Sequence, residues 1–171
     1  TFQSSMNRVT MIDVDNLDSN GDPVAINYAL PNDFFEKNIY DVAYNSETGE
    51  FFAVESPGTN GGTGYVHRID ISDVANGGEP TISSIPITGT LYDHGMSSGM
   101  AKGAYGAVFL DGDGNLYYGL NNGDHDLSGN TDATGGIFKV VIDWPNETAY
   151  SEYMAEATAT GKNDGAVDPR S

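Results

Sequence analysis

Apolar side chains recur along this chain in short runs of four to seven residues, each bounded by Gly, Asn, Asp or Pro. Runs of that length, closed by turn residues, read as β-strands. Tyr40 to Tyr44 and Phe51 to Val54 flank Asn45-Ser46-Glu47-Thr48-Gly49, a hairpin loop ending in Gly. Tyr105 to Leu110 and Leu116 to Leu120 flank Asp111-Gly112-Asp113-Gly114-Asn115 in the same way. Third strands are expected at Tyr65 to Ile71 and Ile137 to Ile142, and fourth strands at Ile82 to Ile87 and Tyr150 to Met154. No segment carries a convincing amphipathic helix; Asn32 to Lys37 suits a single turn.

The runs repeat. Ile12-Asp13-Val14-Asp15-Asn16-Leu17 and Gly21-Asp22-Pro23 return 57 positions later as Ile69-Asp70-Ile71-Ser72-Asp73-Val74 and Gly78-Glu79-Pro80. Gly49 to Val54 matches Gly114 to Gly119 at an offset of 65. Such periods mark a repeated supersecondary unit, and four antiparallel strands per unit, A to D, is the build of a propeller blade. The expected architecture is all-β, one domain over residues 1–171, made of three blade-like units. The first is present only as its C and D strands. Gly165-Ala166-Val167 echoes Gly106-Ala107-Val108, so the C-terminal segment is expected to pair with the N-terminal strands and close the arrangement. A β-sandwich is the alternative. In either case the B–C loops and the D-to-A connections share one end, which gathers residues 29–39, 55–64, 88–104, 121–136 and 155–164. Long loops on a rigid scaffold are where binding concentrates, so that end is the expected site.

Composition narrows the chemistry. The formal charge is −18, with 25 acidic side chains against 7 Lys and Arg. Phosphate binding needs clustered cations, so nucleic acid is excluded as a partner, and anionic membrane surfaces with it. No apolar run approaches the ~20 residues of a helical span, which argues against direct membrane insertion. The absence of Cys removes disulfides, zinc–thiolate sites and Cys catalysis. An acidic domain with neither staple points to an oxygen-ligated cation, Ca²⁺.

The strongest metal candidate is the run from Asp124 to Asp132, with Asp124, Asp126, Asn130 and Asp132 as ligands. No Lys or Arg lies between Lys102 and Lys139, and mutually repelling carboxylates are relieved by a divalent cation. A second candidate is Asp13, Asp15, Asp18, Asn20 and Asp22, which has no Glu at the twelfth position and is equally a turn. Asp111 to Asn115 is a hairpin by default, because Asp-Gly pairs serve tight turns without metal. The ligand-facing positions are Tyr92, Asp93, His94, Asn121, Asn122 and His125. His67 reads as an ordinary sheet residue. No nucleophile elbow, phosphate loop or zinc-protease motif occurs, so the chain reads as a binding module and not an enzyme.

Gly64-Tyr65-Val66-His67-Arg68-Ile69-Asp70, Asp113-Gly114-Asn115-Leu116-Tyr117 and Asn163-Asp164-Gly165-Ala166 resemble blade motifs of propeller-like bacterial surface domains. With its acidic, Cys-free loops and the look of a module cut from a longer chain, the sequence also resembles the peptide-binding domains of giant calcium-dependent RTX adhesins. That resemblance implies a monomeric, calcium-stabilised module of an extracellular, cell-surface protein, active in adhesion and biofilm formation. It would hold a short peptide by its C-terminal carboxylate on a target cell. A calcium-dependent carbohydrate-binding module is the first alternative, since Ca²⁺ also takes sugar hydroxyls; a calcium-dependent propeller-type hydrolase is the second.

Overall fold

The computed structural model describes residues 8–31, 34, 38–123 and 134–161. It is all-β, and no α-helix occurs among the described residues. Strands β1 (Arg8–Leu17) and β2 (Pro23–Ala29) form a separate antiparallel hairpin. Strands β3 (Val42–Asn45), β4 (Glu50–Glu55), β5 (Gly64–Asp70) and β6 (Thr81–Tyr92) form one antiparallel meander. After β7 (Gly95–Ser98), which folds back on the end of β6, a second meander follows. It comprises β8 (Tyr105–Leu110), β9 (Leu116–Gly123), β10 (Thr134–Asp143) and β11 (Thr148–Thr158). All eight strands expected for the two complete units are present, and β1–β2 occupies the place of the incomplete first unit.

The units join through their fourth strands. β6 pairs with β11 in parallel, Ala149 opposite Ile87 and Glu152 opposite Leu91. The result is a single sheet in the order β3-β4-β5-β6-β11-β10-β9-β8, which curls until β3 lies beside β8. Curling hides one face completely, as a domain without helices must do to bury a core. Alternate residues point inward: Phe52 and Val54, Ile85 and Ile87, Leu116, Tyr118 and Leu120, Phe138 and Val140. Tyr118 and Phe138 stack at 5.0 Å near the centre, and the Tyr118 hydroxyl donates to Ser151 Oγ at 2.9 Å. Outside the curl, Leu30, Phe34 and Ile69 form a second, smaller core.

No ladder joins β3 to β8; they are the two ends of the hydrogen-bonded path. One side chain spans the seam. Asp41 Oδ1 accepts the Val42 N–H at 2.8 Å, while Oδ2 accepts the Val108 N–H at 2.7 Å. The closing strand expected at Gly165 to Val167 lies outside the described residues, as does most of the Asn32 to Lys37 turn.

Candidate functional site

Strand direction sorts the loops as the repeat predicts. Segments 55–64 and 88–104 lie at one end, cross-linked by bridges between Gly58 and Gly103 and between Gly62 and Met100. The Met100 N–H donates to the Gly62 carbonyl at 2.8 Å, and the Ser56 hydroxyl donates to the Gly103 carbonyl. Asn38 joins them: its carbonyl accepts the Ser56 N–H at 3.0 Å. Thr160 reaches the same end, its N–H donating to the Asn121 carbonyl at 2.9 Å. Gly123 and Thr134 are cross-strand partners there, so the acidic run between them starts and finishes at this end.

The individual positions fare differently. Asp93 and His94 form the exposed two-residue turn between β6 and β7. Tyr92, expected as a ring offered to a ligand, is only 5% exposed. It packs against Tyr153 at 5.5 Å and stacks under His94 at 5.2 Å, so it closes the end of the core and leaves the His94 ring as the exposed surface. The reason is a bulge: between Ile87 and Thr90 strand β6 advances three residues against two of β11, so the alternation shifts by one and Thr90 and Tyr92 join Ile85 and Ile87 on the inward face. The Asn121 side chain is committed to the scaffold, accepting the Gly106 N–H at 3.0 Å. Asn122 is exposed. His125, with Asp124, Asp126, Asn130 and Asp132, lies outside the described residues.

In the second acidic set, Asp13 and Asp15 lie within β1, and Asp18 shapes the turn into β2. Asp18 Oδ1 accepts the N–H groups of Asn20 at 2.8 Å and Asp22 at 3.0 Å, and Asp13 Oδ1 accepts that of Asp15 at 3.1 Å. The Asp22 and Asn20 backbone donors hold the Asp18 carboxyl below its ordinary value. Among the described residues no three carboxylates or imidazoles converge on a point where they would share an ion. Asp111 behaves likewise: it accepts the Asn115 amide at 2.7 Å, the Tyr117 hydroxyl at 3.0 Å, and the Asp113 and Asn115 N–H groups. The Asn115 side-chain bond leads in holding Asp111 ionised.

One polar constellation escaped the sequence reading. His67 is fully buried; its Nδ1 lies 2.7 Å from Ser84 Oγ and its Nε2 lies 2.9 Å from Glu55 Oε2. The three share the outer face of β4, β5 and β6, with the Phe34 edge over the imidazole at 5.3 Å. The residue types are those of an acid–base relay, but Ser84 is the cross-strand partner of His67, and the imidazole itself is sealed from solvent. Both ring nitrogens are thereby satisfied, which is what a buried imidazole requires. Nothing in the sequence marks this set, because positions 55, 67 and 84 meet only once the register is known.

The chain matches no protein-family model, no curated protein and no solved structure.

Proposed function

We propose that this chain is a calcium-dependent ligand-binding module of adhesin type, which holds the C-terminal carboxylate of a short peptide at its loop-bearing end. One observation carries the reading: the long segments, including both attachment points of the acidic run 124–133, are gathered and cross-linked at one end of a rigid sheet. The charge then selects the chemistry. A surface at −18 repels a carboxylate, and a cation with an open coordination position converts acid into an anion site. Asp124, Asp126, Asn130 and Asp132 are the proposed ligands of that cation, with Asp93, His94 and Asn122 beside it. The extracellular, cell-surface setting belongs to the adhesin resemblance.

The test compares one peptide as free acid and as C-terminal amide, each with calcium and with EDTA. Binding by the free acid in calcium alone is the expected result, lost in Asp124→Ala and Asp126→Ala. Chelation is also expected to lower the melting temperature, since an ion at a hundredfold excess over its Kd adds about 2.7 kcal/mol. Equal binding by the amide rejects the mechanism, and saturable sugar binding transfers the site to a carbohydrate-binding module.

A further inference from the structure

The 57-residue repeat is kept in the folded chain, strand pair by strand pair. In β1–β2, Thr10 lies opposite Asn27, Ile12 opposite Ala25 and Asp13 opposite Val24. In β5–β6 the positions 57 further on pair in the same way: His67 with Ser84, Ile69 with Ile82, Asp70 with Thr81. Side-chain bonds repeat too. Thr10 Oγ1 donates to Asn27 Oδ1 at 2.8 Å where His67 meets Ser84. Asp13 Oδ1 accepts the Asp15 N–H where Asp70 Oδ1 accepts that of Ser72. The two hairpins are one local structure in two settings.

The settings differ. β5 has β6 on one edge and β4 on the other, with Phe51 opposite Ile69 and Val54 opposite Val66. Leu30 and Phe34 pack on Ile69, which is fully buried. β1 has β2 on one edge and, among the described residues, no strand on the other. Ile12, the counterpart of Ile69, is 60% exposed, and Leu17, the counterpart of the buried Val74, is 56% exposed. Thr10, Ile12, Ala25 and Asn27 share one face of this hairpin and none is charged, in a chain of net charge −18. An unpaired edge beside exposed apolar side chains is a template for a further strand.

We propose that β1 is a docking edge for a strand of a second, blade-type β-domain, which takes beside β1 the place that β4 takes beside β5. The register carries over from the complete unit. The incoming strand runs antiparallel to residues 8–13, sets an aromatic ring opposite Ile12 as Phe51 stands opposite Ile69, and gains from a Lys opposite Asp13. A second copy of this chain does not supply it, because its B strands, β4 and β9, are already paired on both edges. Gly165 to Val167 does not match it either, since that segment echoes β8, an A strand. The docking needs neither calcium nor a free carboxylate.

The probe is an acetylated, amidated peptide with the sequence of residues 49–56 carrying Glu50→Lys, titrated in EDTA into the full ¹⁵N-labelled chain. Blocked ends and chelator keep the result independent of the calcium reading. Amide resonances of Arg8 to Asp13 are expected to move, while those of β8 to β11 stay in place. Ser in place of the ring opposite Ile12 should weaken binding about tenfold. N-methylation of alternate peptide residues should abolish it. Ile12→Lys, at an exposed position, should remove binding with an unchanged circular dichroism spectrum and melting temperature. The proposal is overturned if the peptide does not bind, if the N-methylated form binds equally, or if shifts fall on Tyr65 to Asp70, the mark of exchange with β4. It also falls if Ile12→Lys leaves binding intact or if peptide binds only after residues 163–171 are deleted. Resonances of β1 that move on dilution of the chain alone would make a second copy the occupant and reject it equally.

Discussion

Asp41 holds two strand edges together with one carboxylate, where elsewhere in the sheet a ladder does so. Removing it leaves the Val108 N–H, on a buried residue, without its acceptor. Asp41→Ala is therefore expected to cost about 1–3 kcal/mol, read as a lower urea midpoint with unchanged slope. Asp41→Asn, with one oxygen for two donors, should fall between. The importance of this residue was not visible in the sequence, because an Asp before a strand is ordinary and only the closure gives it a second donor. Tyr92 shows the converse. The segment 88–104 reads as one loop in the sequence, but β6 runs on to Tyr92 and β7 follows from Gly95, and the bulge beyond Ile87 decides which face receives the ring. For Asp13 and Asp18 both readings were open, and the structure gives each carboxylate local N–H donors.

At the scale of elements, strands and hairpins were legible because their causes are local. The A–B turns end on Gly49 and Gly114, at φ 73° and 78°, a region where Gly is at ease. The pairing of β6 with β11 was not legible, since it depends on which apolar faces meet after each meander has formed. Close approach at the start of β5 depends on a missing side chain. A Cβ on Gly64 would stand 2.2 Å from the Glu55 carbonyl oxygen and 2.6 Å from Met100 Sδ. The backbone oxygen cannot step aside without breaking the turn into β5. Gly64→Ala is expected to destabilise by about 3 kcal/mol in chemical denaturation. Gly161→Ala, with nothing within 4 Å of the new Cβ, is the matched neutral control.

Over the whole molecule two electrostatic terms oppose each other. A charge of −18 repels itself at pH 7, and the repulsion fades towards the pI of about 4.1. Asp18, Asp70 and Asp111 have folded pKa values held below 3.8 by hydrogen bonds, with the Ser72 side chain the leading donor for Asp70. Depressed carboxyls contribute stability above their unfolded pKa and lose it as pH falls through the folded one. Thermal melts in EDTA at low salt should therefore rise from pH 7 to about pH 5 and fall steeply below about pH 4. Adding 0.5 M salt at pH 7, on the order of a 4 Å screening length, should raise the melting temperature. A melting temperature that declines steadily from pH 7 to 5 would contradict the balance. The parallel joint between β6 and β11 also orders events in time. Every other ladder in the large sheet closes over a short loop, whereas this one brings together residues about 60 positions apart. Each meander can therefore zip from its own hairpins, and their docking is the entropically slow step. Until it happens, β6 and β11 each expose a bare flank, so the interval before docking is when the nascent chain is most open to mispairing.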